Sequence, residues 1–241
     1  MADRFRLTIA QLNPTMGDLA GNAAQAKDAW EQAKAAGADM VALPEMFIAG
    51  YNAQDLPMKH AFTLDCMAAV KALAEDCADG PSLGIGCPWV EGTELYNAYI
   101  ICRGGKMVTQ VFKHHLPNYN VFDELRIFDS GPIGGPYAVG NTRIGSPICE
   151  DAWYEDVAET LAETGAEFLL VPNGSPYFRN KYETRLNKMI ARVVETGLPL
   201  VYLNMVGGQD DQIFDGGSFV LNPHGAVALQ LPVFVEAIAH V

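Results

Sequence analysis

The segment LTIAQLNPTMGDLAGNAAQAKDAWEQAKAAGADMVALPE, residues 7–45, decides the fold class. Its opening, 7–12, is an apolar-rich run of strand length. Asp18 then opens a stretch in which Ala23, Ala26, Trp30 and Ala33 recur at three- and four-residue steps, and Gly37 stops it. That spacing places the four side chains on one face of a helix. A second apolar run, 40–43, follows and ends at Pro44. Strand, helix and strand in this order form the unit from which α/β sheets with crossover helices are built.

The same alternation continues outward. Phe62, Cys66, Val70, Leu73 and Cys77 mark a second helical face. Residues 83–87, 98–102 and 106–112 read as strands, with Gly104-Gly105 as the hairpin turn between the last two. A stretch rich in Pro, Asn and Gly, 114–140, is too long for a simple connection and reads as functional or as an irregular lid. Strand 142–148 leads into Cys149; a short helix around Val157 and Leu161 and a strand at 168–171 follow. A helix carrying Tyr182, Leu186, Ile190 and Val193 on one side precedes strands 200–203, 218–221 and 226–231. No internal repeat and no interior linker divides the chain, so residues 1–241 read as one α/β domain with sheets covered by helices.

Composition removes several function classes. The chain has 241 residues, 49% hydrophobic and 19% charged, enough for one large core. Its last apolar stretch, 226–241, is broken by Gln230 and Glu236, so no membrane span is expected. Asp3 and two arginines precede the first strand without a signal-peptide apolar stretch, which makes the cytoplasm the expected location. A net charge of −13 would repel phosphate backbones, so nucleic acid is not an expected partner. Five cysteines with no C-x-x-C pair, and five histidines with no H-E-x-x-H, support neither a disulfide framework nor a metal site. Gly84-Ile-Gly86 lacks the third glycine of a dinucleotide fingerprint, because Trp89 stands there, and no P-loop occurs. Neither a metal nor an organic cofactor is expected.

Three strand ends are followed at once by a reactive side chain: Glu45 after 40–44, Lys113 after 106–112, and Cys149 after 142–148. Strand ends in α/β folds are where ligands bind. A free thiol is mostly protonated at neutral pH and needs a base, which a glutamate can supply, while a lysine can stabilise a developing oxyanion. Each also has a plain structural reading: a buried packing thiol, a turn-capping carboxylate, a solvated strand end. Cys66, Cys77, Cys87 and Cys102 fit packing, whereas Cys149 is followed by Glu150 and Asp151 and fits it less well. The tandem His114 and His115 would point to opposite sides of an extended segment. Spacing alone leaves the three-residue site open.

Five segments carry a resemblance: LPEMFIAGYNAQDL (43–56), KHHLPNYNVFDELRIF (113–128), PICEDAW (147–153), NGSPYFRNKYETR (173–185) and GGQDDQIFDGGSFV (207–220). Together and in order they resemble the nitrilase superfamily of carbon–nitrogen hydrolases, and within it the glutaminase domains of glutamine-dependent NAD synthetases. The resemblance implies a four-layer α-β-β-α sandwich that pairs through its helical faces into a homo-oligomer. It implies Cys149 as nucleophile on the glutamine carboxamide, Glu45 as general base and acid, and Lys113 with the Glu150 N–H as oxyanion site. Glu124 matches a supporting glutamate that orients the lysine. Tyr119, Glu150 and Ser175 match substrate-holding positions, and Lys181 the basic group for the substrate carboxylate, with Arg185 as its fallback. Asn180 and Gly174 depart from the family pattern, where glycine and alanine are usual.

The implied activity is glutamine hydrolysis to glutamate and ammonia. The ammonia would feed a synthetase domain that uses ATP and Mg to convert deamido-NAD to NAD. That domain's pyrophosphate loop S-G-G-x-D-S does not occur here, so the chain is expected to be the amidase half without it. Two other readings stand beside this one: an amidase or nitrilase acting on another small amide or nitrile, and a non-catalytic docking domain.

Overall fold

A computed structural model describes residues 4–241; Asp3 lies outside the described residues. The chain runs β1 (Leu7–Gln11), α1 (Leu19–Ala35), β2 (Met40–Ala42), α2 (His60–Asp76), β3 (Ser82–Glu91), β4 (Glu94–Arg103) and β5 (Lys106–Phe112). It continues β6 (Tyr137–Val139), β7 (Thr142–Gly145), α3 (Glu155–Glu163), β8 (Phe168–Asn173), α4 (Lys181–Thr196) and β9 (Leu200–Asn204). It closes with β10 (Val206–Gln209), β11 (Gln212–Asp215), β12 (Phe219–Leu221), β13 (Val227–Gln230) and β14 (Ala237–His240).

Two six-stranded sheets form, in the orders β14-β1-β2-β3-β4-β5 and β13-β12-β9-β8-β7-β6, with β10-β11 as a separate hairpin. Each sheet has a parallel centre, β1-β2-β3 in one and β7-β8-β9 in the other, and antiparallel margins. Side-chain alternation assigns the layers. In β4, Tyr99 and Ile101 enter the core between the sheets, whereas Ala98, Ile100 and Cys102 pack toward α1 and α2. In β9, Val201 and Leu203 face the inter-sheet core while Leu200 and Tyr202 pack with α3 and α4. Central strands covered on both faces read in sequence as continuous apolar runs for this reason. The result is the expected four-layer α-β-β-α sandwich.

The helices start and stop where local chemistry directs. The Asp18 side chain caps α1 by accepting from the Gly21 N–H at 2.9 Å. Cys66, Cys77, Cys87 and Cys102 all sit in the apolar layer between the first sheet and its helices, and burial raises each thiol above its usual range. Four strands differ from the sequence reading by appearing at all. β6, β10 and β11 are short, and β10 contains two glycines, a composition that reads as loop. β14 pairs with β1, Thr8 opposite His240, across nearly the whole chain. The strands read at 83–87 and 98–102 are longer, 82–91 and 94–103, and meet in a hairpin turned by Gly92, whose φ is +63°.

Candidate active site

Glu45 and Lys113 follow β2 and β5, at the same end of the first sheet, while Cys149 follows β7 from the second. The two sheets therefore bring opposite halves of the site together. Glu45 reaches its place through a close backbone approach. The N–H of Gly86 donates to Pro44 O at 3.2 Å, and its carbonyl accepts from Ile48 N at 3.1 Å. A Cβ at Gly86 would stand 2.0 Å from Met46 N and 2.5 Å from the carbonyl carbon of Glu45, so only glycine leaves room. Cys149 opens the 3₁₀ turn Cys149–Trp153 with φ +48°, a conformation uncommon for a residue with a Cβ and frequent at functional turns.

The predicted residues converge. Lys113 Nζ lies 2.7 Å from Glu45 Oε1, and 3.0 and 2.8 Å from the two oxygens of Glu124; all three side chains are buried. Burial alone would favour the neutral amine, but Glu124 and Glu45 outweigh it and hold the ammonium well above its ordinary range. Burial pushes the Glu124 carboxyl up to about 7 against the pull of Lys113. Burial also raises the Cys149 thiol; Glu45 adds to that and Lys113 opposes it, leaving the thiol well above its usual range. A thiol raised in this way favours its protonated form, so to act as a nucleophile it would need a base to take its proton. An ammonium has three N–H donors, and two neighbouring carboxylates leave a third for a substrate oxygen.

Three further residues set this geometry and were missed in the sequence. Asn97 Nδ2 donates to Glu45 Oε1 at 2.8 Å, and its carbonyl accepts the Lys113 N–H at 2.9 Å. Tyr51 donates to Glu124 Oε1 at 2.8 Å. The Gly174 N–H donates to Glu45 Oε2 at 2.7 Å. Asn97 was a signal in plain view, a lone amide inside an apolar strand; Gly174 showed only as a departure from the family pattern, and Tyr51 carried none. A Cβ at Gly174 would lie 2.6 Å from the Tyr51 ring, which accounts for glycine there.

Next to the turn that Cys149 opens lies a cavity of about 530 Å³ whose walls include Tyr119, Trp153, Phe178 and Lys181. Tyr119 donates to both oxygens of the Glu150 carboxylate, at 2.9 and 3.0 Å. The Lys181 ammonium sits 4.4 Å from the ring centres of both Trp153 and Phe178, and among the described residues no carboxylate pairs with it. Burial lowers its pKa. Asn180, before it, has φ +65°, the left-handed conformation that glycine adopts freely and asparagine tolerates.

Arg185 cannot serve as the fallback cation. It is fully buried, and its guanidinium is occupied by both oxygens of Asp215 at 2.7 and 2.9 Å, by Ser175 Oγ, and by the carbonyls of Ser175 and Pro176. It fixes Ser175 in place instead. The tandem histidines also differ from expectation. The strand ends at Phe112, so the rings of His114 and His115 meet edge to face at 4.7 Å rather than diverging. His114 Nδ1 bonds Gly131 O at 2.7 Å, and His115 Nε2 bonds Asp156 at 2.9 Å. Among the described residues only His114, His115 and Asp156 group as potential metal ligands, within 4.8 Å of one another, and they are engaged in these hydrogen bonds.

A four-layer α-β-β-α sandwich with a buried Glu–Lys–Cys cluster defines a carbon–nitrogen hydrolase domain. The Carbon-nitrogen hydrolase family model matches residues 6–241, and the chain belongs to that family. It is 59% identical over 241 residues to the glutamine-dependent NAD(+) synthetase of Rhodobacter capsulatus, covering 100% of this chain and 44% of that protein. The corresponding synthetase of Thermotoga maritima is 34% identical over 239 residues, 98% of this chain and 41% of that protein. The glutamine-dependent NAD+ synthetase structure from Acinetobacter baumannii superposes with a TM-score of 0.90 at 32% identity, covering 98% of this chain and 45% of that one. An amidase from Nesterenkonia sp., 23% identical, shares the fold with a TM-score of 0.88 over 100% of this chain and 90% of its own. The chain spans less than half the length of the synthetases it matches. Among the described residues no helix is long and apolar enough to cross a membrane.

Proposed function

We propose that this domain hydrolyses the side-chain amide of L-glutamine through a thioester on Cys149. Glu45 takes the thiol proton as sulfur attacks the amide carbon. The tetrahedral oxyanion is held by the free N–H of Lys113 and by the Glu150 backbone N–H. Glu45 returns the proton to the departing nitrogen, the C–N bond breaks and ammonia leaves. It then deprotonates a water that attacks the thioester, and a second collapse releases glutamate and restores the thiol. Glu124 holds Lys113 charged, and none of these steps requires a metal or organic cofactor.

The observation that carries glutamine as substrate is a pair of opposite charges, Lys181 in the cavity wall and Glu150 bonded to the wall residue Tyr119. Lys181 is a caged cation lacking an anionic partner among the described residues, suited to the α-carboxylate. Glu150, fixed by Tyr119, suits the α-ammonium, and the buried Ser175, held by Arg185, is a further substrate-holding residue in this reading. The names of the relatives point the same way: as the ammonia-supplying half of a glutamine-dependent NAD synthetase, the domain would deliver ammonia to an ATP- and Mg-using synthetase domain. A cytoplasmic setting and a homo-oligomer joined through helical faces belong to the same reading.

The test is ammonia release from glutamine, from 4-aminobutanamide, which lacks the α-carboxylate, and from simple amides and nitriles. Glutamine should be hydrolysed, 4-aminobutanamide should be a poor substrate, and Cys149→Ala should abolish turnover. Inert glutamine alongside turnover of a simple nitrile would transfer the domain to a different substrate class.

A further inference from the structure

The Glu45–Lys113–Cys149 cluster spans two sheets, and something must set the distance between the halves. Two residues beyond the nucleophile, Asp151 is fully buried. Its Oδ1 accepts the backbone N–H groups of His114 at 3.0 Å and His115 at 2.7 Å. Its Oδ2 accepts the backbone N–H of Ile148 at 3.0 Å, and its own N–H returns to Ile148 O at 3.0 Å. His114 is the residue after Lys113, and Ile148 is the residue before Cys149. One carboxylate thus grips the main chain directly beside the oxyanion lysine on one side and the nucleophile on the other.

We propose that Asp151 is a positioning residue that fixes the placement of Lys113 relative to Cys149. A carboxylate suits this place because it only accepts, so three converging N–H donors meet no competing donor. An amide would keep an oxygen for the two histidine N–H groups but would turn its NH₂ toward that of Ile148. Among the described residues no cation forms an ion pair with Asp151; its hydrogen-bond partners are all main-chain groups. The segment after Lys113 is secured from other sides as well: Ser130 Oγ donates to His114 O at 2.6 Å, and Gly131 N donates to Lys113 O at 2.8 Å. Loss of Asp151 therefore leaves the lysine strand end anchored to its own loop while freeing it from the cysteine turn.

The inference rests on the proposed hydrolysis, and two measurements keep the two separable. The first is steady-state glutamine hydrolysis by Asp151→Asn and Asp151→Ala, well below each variant's Tm. Displacement of reacting groups by about 1 Å lowers rates about a hundredfold, so Asp151→Ala should lose about that in kcat, Asp151→Asn about tenfold, and both should keep KM within about threefold. A purely structural carboxylate would lower Tm and leave kcat unchanged at low temperature. The second is the rate at which iodoacetamide alkylates Cys149, followed by peptide mass, which needs no substrate. Lys113 is the group that draws the Cys149 thiol down, so loosening it should slow alkylation about tenfold in Asp151→Ala. If the alanine variant does not fold, the asparagine variant, which keeps two of the three acceptor contacts, carries both measurements. A wild-type chain inert toward glutamine would overturn the proposed function, while alkylation still decides the role of Asp151. Folded variants with wild-type alkylation rates would overturn the positioning role.

Discussion

Gly86→Ala tests the link between fold and chemistry with one methyl group. The added Cβ would stand 2.0 Å from Met46 N, against an ordinary contact of 3.4–4 Å, so the approach is short by about 1.4 Å. The atoms it meets are backbone, held by the Gly86–Pro44 and Ile48–Gly86 hydrogen bonds, so no side chain can rotate away. Either β3 or the segment carrying Glu45 must move by about that distance. A shift of about 1 Å in a reacting group costs about a hundredfold in rate, close to 2.7 kcal/mol of transition-state stabilisation. Overpacking also costs about 1–3 kcal/mol of stability, which in a domain of this size lowers Tm by about 2–12 °C. Gly84→Ala is the control. It lies two residues earlier in β3, and its Cβ would meet only the side-chain ends of Met40 and Tyr99, both at 2.6 Å. It should lower Tm while keeping kcat/KM within about threefold. The assay is ammonia release with circular-dichroism melting of both variants. Equal losses of kcat/KM in the two, or a Gly86→Ala enzyme within about threefold of wild type, would refute the reasoning.

Lys181→Met should raise KM for glutamine with little change in kcat, by about 10- to 150-fold if one charge-assisted contact of about 1.5–3 kcal/mol is lost; steady-state kinetics check it, and an unchanged KM would remove Lys181 from carboxylate binding. Asp215→Asn leaves the buried Arg185 charge without its counterion, which should cost about 3–5 kcal/mol, or about 6–20 °C in Tm. Arg185→Met combined with Asp215→Leu should recover part of that loss in thermal melts, because the unpaired charge is gone. Glu124 gives a pH signature. Its carboxyl is raised from 4.5 to about 7, so the native state binds a proton through that window that the unfolded chain has released. Its contribution to stability is complete below about 4.5 and is lost as pH rises toward about 7, the reverse of an ordinary paired carboxylate. Denaturant titrations from pH 4 to 8 should show this decline in wild type and a flatter profile in Glu124→Gln, and identical profiles would count against it.

Much of the architecture was legible because burial on both faces leaves a plain trace. β2, and β8 and β9 up to their closing asparagines, are unbroken apolar runs, and α1 declares itself through the spacing of Ala26, Trp30 and Ala33 between an Asp cap and a glycine stop. β14 was illegible for a physical reason. Its side chains are half-buried and its role is to pair with a strand some 230 residues away, a contact no local pattern encodes. The three residues proposed to react were legible only as strand-end chemistry, since each alone has a structural reading. What joined them in the sequence was a resemblance of motifs, and what joins them in space is the partnership of two sheets.

That partnership explains why the supporting residues escaped notice. Asn97, Tyr51 and Gly174 each reach Glu45 or Glu124 through one hydrogen bond, Asn97 also holding the Lys113 N–H, and no spacing rule relates residues 45, 51, 97, 124 and 174. The same arrangement constrains the chemistry. Under the proposed mechanism Glu45 receives the thiol proton while hydrogen-bonded to Lys113, Asn97 and Gly174, groups that come from both sheets. A proton acceptor so held cannot wander, and neither can the ammonium that waits for the oxyanion. In that proposal the thiol need not be ionised beforehand, because the base assigned to take its proton and the cation assigned to stabilise the resulting charge are preorganised beside it. On the proposed roles of Glu45, Lys113 and Cys149, the inter-sheet packing is therefore part of the catalytic apparatus, and the glycines that let these segments approach matter as much as the three residues proposed to react.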